Sequence, residues 1–117
     1  MNVEKFREII KEREHVDEIS HGEWQEGIEA CWKTEIEILT EDIPGSIEFL
    51  KNECTANEFG WISEIIDDLA EITQSRELVA CYKALMSKFP EECENANIAG
   101  SIQYAEWALE GGDGKKD

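Results

Sequence analysis

The chain has 117 residues, with 28 Asp and Glu against 11 Lys and Arg, a formal net charge of −17, and a 41% hydrophobic fraction that includes four Trp, four Phe and two Tyr. That length suits one domain whose core stands without metals or disulfides, and that aromatic content excludes a disordered acidic tail. The charge excludes duplex nucleic acid and anionic membranes as ligands, since both reward Lys and Arg, and makes a basic protein the natural partner.

Residues 2–13, NVEKFREIIKER, set Val3, Phe6, Ile9 and Ile10 at helical spacing and predict a first helix. A polar connection, EHVDEISHG, follows and ends at Gly22. EWQEGIEACWKTEIEIL then places Trp24, Ile28, Cys31 or Trp32, Glu35 and Leu39 on one stripe of a long second helix, with Ile36 and Ile38 widening it and Gly27 a mild weakness. TEDIPGSIEFLKNEC restarts the chain as a third helix, with Pro44 suited to a first turn and Ile43, Ile47 and Leu50 facing inward.

Thr55, with Glu58 three residues on, reads as a capping box opening a fourth helix that runs across residues 55–73. Its apolar face is Phe59, Ile62, Ile65, Ile66, Leu69 and Ile72. Ser75 reads as the N-cap of a fifth helix carrying Leu78, Tyr82, Leu85 and Phe89, stopped by Pro90, with Lys83 and Lys88 near the end where the helix dipole favours cations. The last helix, within NANIAGSIQYAEWALEG, repeats the spacing with Ile98, Ile102, Ala105 and Leu109 and leaves Trp107 out of phase with that stripe. No segment sustains a period of two. The expectation is an all-α protein of about six mostly antiparallel helices, in a single bundle or short stacked array over residues 1–110, with residues 111–117 a disordered tail.

Enzyme chemistry finds little support. The two histidines, His15 and His21, lie in the polar segment; Glu12 and His15 have the spacing of half a carboxylate-bridged di-iron site, and the second half is absent. There is no Gly-rich phosphate loop, no GxSxG, and no His near Cys31 to activate it, so no catalytic residue, cofactor or metal is expected. Cys31, Cys54, Cys81 and Cys93 form no CxxC pair and read as buried free thiols. The first segment is charged throughout and no apolar run approaches the ~20 residues that span a bilayer, which reads as a cytoplasmic protein.

The charge is localised. Residues 1–13 carry a net +1, residues 14–75 hold seventeen acids against Lys33 and Lys51, and residues 76–117 carry a net −3. On a continuous helix across residues 55–73, Trp61, Glu64, Asp68 and Glu71 fall on one stripe opposite the apolar face, with Asp67 beside Asp68. Two readings are open. Either Trp61 packs under a neighbour and the acids are solvated, or an exposed aromatic ringed by carboxylates fits a basic cleft. Trp61, Glu64, Asp67, Asp68 and Glu71 are the candidate partner-binding residues.

The stretch EIEILTEDIPGSIEFLKNECTANEFGWISEIIDDLAEITQS resembles the central segment of the small helical immunity proteins of contact-dependent growth inhibition systems, the CdiI type. The matching elements are a helix ending near EIL, an E-D-I-x-x-[ST]-I-E-F-L run, E-C-T-A-x-E-F-x-W-[IL]-S-E, and T-Q-S-[RK]-E, with KFPEE and YAEWAL in the later helices. The resemblance covers roughly residues 28–110, is most specific over residues 53–77, and departs from the family at Pro44 and Gly45, where polar helix formers are usual. It implies a non-enzymatic cytoplasmic inhibitor that blocks the C-terminal toxin domain of a CdiA-type effector, often a nuclease with a basic cleft. The charge alone equally suits an acidic nucleic-acid mimic that competes for a basic host protein.

Overall fold

The computed structural model describes residues 1–109, so the tail expected at 111–117 lies outside the described residues. Helix α1, Val3–Ser20, opens with the Asn2 side chain accepting from the Lys5 amide at 3.0 Å. It runs seven residues past the expected end. Arg13 and Val16 continue the buried stripe begun by Phe6 and Ile10, and nothing breaks the helix before His21 and Gly22, which turn the chain at φ 53° and 79°. The polar segment read as a connection is therefore the last two turns of α1, and His15 is exposed on it.

Helix α2, Gln25–Glu41, packs along α1 and buries Ile28, Cys31, Glu35, Ile38 and Leu39. Trp24 is not on that stripe. It precedes the helix, largely exposed, with its ring over Gly27, where a Cβ would stand 2.5 Å from a ring carbon. Gly27 thus seats the indole.

Helix α3, Ile43–Asn52, starts with Pro44 in its first turn and Asp42 as its cap, accepting from the Gly45 amide at 3.2 Å and from the chain's terminal amine at 3.1 Å. Helix α4, Ala56–Ile62, has the expected capping box: the Thr55 hydroxyl accepts from the Glu58 amide at 3.2 Å, and a Glu58 carboxylate oxygen accepts from the Thr55 amide at 3.0 Å. The other Glu58 oxygen pairs with Arg7 Nε at 2.7 Å, tying α4 to α1. Thr55→Ala is expected to lower unfolding stability by about 1 kcal/mol in urea titrations.

The helix expected across residues 55–73 is two helices. After α4 the chain tightens: the amides of Ser63, Glu64 and Ile65 donate to the carbonyls three residues back, and the Ser63 hydroxyl also donates to the Gly60 carbonyl at 2.6 Å. Helix α5, Ile66–Thr73, then restarts from Ile65. The short turn lets Ile62, Ile65 and Ile66 all reach the core. α5 buries Ile66, Leu69 and Ala70, and Ile72, expected inside, lies off that face and is exposed.

Helix α6, Arg76–Ala84, is capped by Ser75, whose hydroxyl accepts from the Leu78 amide at 3.1 Å, and passes into a 3₁₀ turn at Leu85–Ser87. Pro90 ends that segment and also begins another, the short helix α7, Pro90–Asn95. Helix α8, Ile98–Ala108, buries Ile98, Ile102 and Ala105, with Leu109 buried just beyond its end, and packs most extensively against α5.

The described residues therefore form eight α-helices and no strand, where about six helices were expected. The core joins Phe6 edge-on to Phe49 at 5.5 Å and Phe59 to Tyr82 at 4.7 Å, with the Tyr82 hydroxyl donating to the Phe59 carbonyl at 2.7 Å. A smaller cluster of Val16, Ile28 and Cys31 sits between α1 and α2. Cys31, Cys54 and Cys81 are buried and Cys93 half-buried, all as free thiols. No helix among the described residues is long and apolar enough to cross a membrane.

Candidate functional site

Arg13 organises the acidic middle of the chain. Its side chain is only 5% exposed, and it donates to both carboxylate oxygens of Glu64, at 2.9 and 2.7 Å. The Trp32 indole N–H also donates to Glu64, at 2.9 Å. The guanidinium lies 4.8 Å from the centre of the Trp61 ring, and the Trp61 indole N–H donates to Glu14 at 3.1 Å. Bidentate pairing and ring stacking are what a guanidinium does better than an ammonium. One arginine thus fixes α1, α2, α4 and the turn before α5.

Beside this cluster Glu35 is fully buried, and neither of its carboxylate oxygens has a hydrogen-bond partner. Burial first, and the Glu64 charge second, push its pKa up to about 8, with Arg13 opposing them. Glu35 is therefore a neutral acid at pH 7. The ionised pair of Arg13 and Glu64 balances itself, and a second carboxylate would leave an uncompensated buried charge.

The five candidate residues fall into two groups. Trp61 and Glu64, with Asn57, Glu92 and Asn95, line a cleft of about 310 Å³ between α4 and α7. One face of Trp61 is covered by Arg13 and its N–H is satisfied, so it is a half-buried wall of the cleft and does not project as a free aromatic. Asp67, Asp68 and Glu71 lie beyond the turn on α5 and form the second group. Burial, then the like charges of Asp67 and Glu71, raise the Asp68 pKa above the usual carboxylate value. Trp61 is on α4, Glu64 in the turn at residues 63–65, and Asp67, Asp68 and Glu71 on α5, so no one helix carries the expected stripe.

Sequence reading missed Arg13, Glu14 and Trp32 as members of the cluster. Arg13 and Glu64 are 51 positions apart, and no local spacing links them. The one available signal was Glu35 standing on an otherwise apolar stripe, which marks a polar group in need of an explanation.

No group of three or more His, Cys, Asp and Glu side chains among the described residues is arranged to hold a metal ion. Searches of family models, of curated proteins and of solved structures return no match to this chain.

Proposed function

We propose that this protein is an immunity protein that binds a cognate contact-dependent growth inhibition toxin domain, a nuclease with a basic active-site cleft, and neutralises it by occluding that cleft. The supporting observation is the concentration of uncompensated acid in residues 14–75, which includes Asp67, Asp68 and Glu71 on α5, a helix with no base. The resemblance of residues 53–77 to the CdiI-type pattern supports the same reading. Such a charge distribution steers a basic partner, with association towards ~10⁸ M⁻¹s⁻¹ at low salt. No catalysis is required of the inhibitor.

The test is titration calorimetry against the toxin domain encoded immediately upstream, at low and high salt, with toxin activity followed in parallel. The expected result is tight one-to-one binding that abolishes activity and weakens as salt rises. Replacing Asp67, Asp68 and Glu71 by their amides should slow association by about tenfold at low salt and much less at high salt. No binding by the unaltered protein overturns the proposal.

A further inference from the structure

Helix α8 breaks the pattern of the rest of the surface. In a chain of net charge −17, its eleven residues contain one charged side chain, Glu106, and Lys83 of α6 pairs with it at 3.0 Å. The outward residues are Ala99, Gln103, Tyr104 and Trp107. Tyr104 and Trp107 are 60% and 41% exposed and meet edge to face, with ring centres 5.4 Å apart. A surface-exposed Trp held in register by a second aromatic is costly to leave in water and brings little rotamer entropy to lose on contact.

The surroundings complete the pattern. On the α6 side a groove lined by Lys83, Met86, Ala99, Gln103 and Glu106 runs beside the helix. α5 and α7, both packed against α8, carry three acids each and no base, Asp67, Asp68 and Glu71 on one and Glu91, Glu92 and Glu94 on the other, while α6, also packed against it, carries Arg76, Lys83 and Glu77, so the three neighbours together are net acidic. A charge-depleted aromatic centre with a charged margin is the anatomy of a protein interface.

We propose that the outer face of α8, centred on Tyr104 and Trp107, is the anchoring surface for a basic protein partner. The charge selects the occupant. A second copy would bring another −17 against this net-acidic surround, whereas a basic surface is attracted to it before the aromatics are buried. The proposal rests on the toxin-binding reading for the identity of the partner, and it moves the anchor from Trp61, whose ring Arg13 occupies, to Trp107. The acids of α5 then govern the rate of encounter, and the aromatics of α8 govern the lifetime of the complex.

The experiment compares the unaltered protein with Tyr104→Ala/Trp107→Ala and, separately, Gln103→Arg, in surface-bound kinetics against the same upstream toxin domain. The aromatic variant is expected to bind about 100-fold more weakly, mostly through faster dissociation, with the salt dependence of association unchanged. Gln103→Arg keeps both rings and a good helix former but sets a positive charge beside them on the exposed face, and it should weaken binding at least tenfold. Thermal melts check that both variants fold. If the unaltered protein binds while both folded variants bind equally well, the α8 assignment is wrong and the toxin-binding reading stands. If the unaltered protein does not bind, that reading fails and takes the assignment with it. Sedimentation showing a dimer of the unaltered protein that Trp107→Ala dissolves would also overturn the proposal, by making a second copy the occupant.

Discussion

Glu35→Leu is expected to stabilise the protein by about 3 kcal/mol at pH 7, and by more at pH 8. The carboxyl is fully buried, both its oxygens lack a partner, and its pKa is pushed from an ordinary 4.5 up to about 8 by burial and by Glu64. In the unfolded chain the same group releases its proton near the ordinary value. Between these two values the folded state holds a proton that the unfolded state has lost, so stability falls as pH rises, by about 1.4 kcal/mol per unit, and levels off above the folded pKa. The whole window is worth about 5 kcal/mol. Below pH 4.5 the penalty is gone, because both states are protonated.

Leucine has similar bulk, needs no partner, and leaves Arg13 its pairing with Glu64. The melting temperature should rise by roughly 10 °C near neutrality, on the usual scaling of about 4 °C per kcal/mol for a chain of this size. Urea titrations of both proteins from pH 4 to pH 9 isolate the effect, because every other titrating group is common to the two. The difference between the curves should open across the window and stay constant above it. A difference that does not vary with pH would show that Glu35 is not held neutral by the fold.

Glu35 also marks what the sequence made legible and what it hid. Its place on the stripe of Ile28, Cys31 and Leu39 was readable from spacing, and it is buried as spacing requires. That the fold holds this carboxyl neutral was not readable, because it depends on burial and on Arg13 of one helix and Glu64 of a turn meeting beside it. Caps were legible at Thr55 and Ser75, since a cap is a contract between residues three apart. The inward face of α8 was legible for the same local reason. The break at residues 63–65 was not, because Ile62, Ile65, Ile66 and Leu69 satisfy the period of one continuous helix as well as that of two short ones. What decides between them is whether three isoleucines bury better with a tightened turn, a question of packing against α2, α6 and α8. Pro90 reads as a stop, and it is equally a start, since its fixed φ and missing N–H suit a first turn.

Arg13→Met should have the opposite effect to Glu35→Leu and a comparable size, a loss of about 3 kcal/mol. Arg13 is nearly enclosed, and its removal leaves Glu64 with the Trp32 N–H as its remaining donor and uncovers one face of Trp61. Glu64 is 26% exposed on its side chain, so water recovers part of its hydration, which places the cost at the lower end of the range for breaking a buried pair. Methionine keeps most of the aliphatic stem and so separates the lost charge from lost packing. The companion variant Glu64→Met removes the other partner, and the double replacement leaves neither charge stranded. If the pair acts as described, the double variant is more stable than Arg13→Met alone, and the cycle gives a coupling of about 2 kcal/mol. Additive single effects, or a loss under about 1 kcal/mol for Arg13→Met, would mean that the pair is solvated and that α1 and the α4–α5 turn are held by the core alone. The same variant reports on Glu35: with the positive charge that opposes its rise removed, its pKa moves higher still, and the pH window of falling stability extends further into the alkaline range.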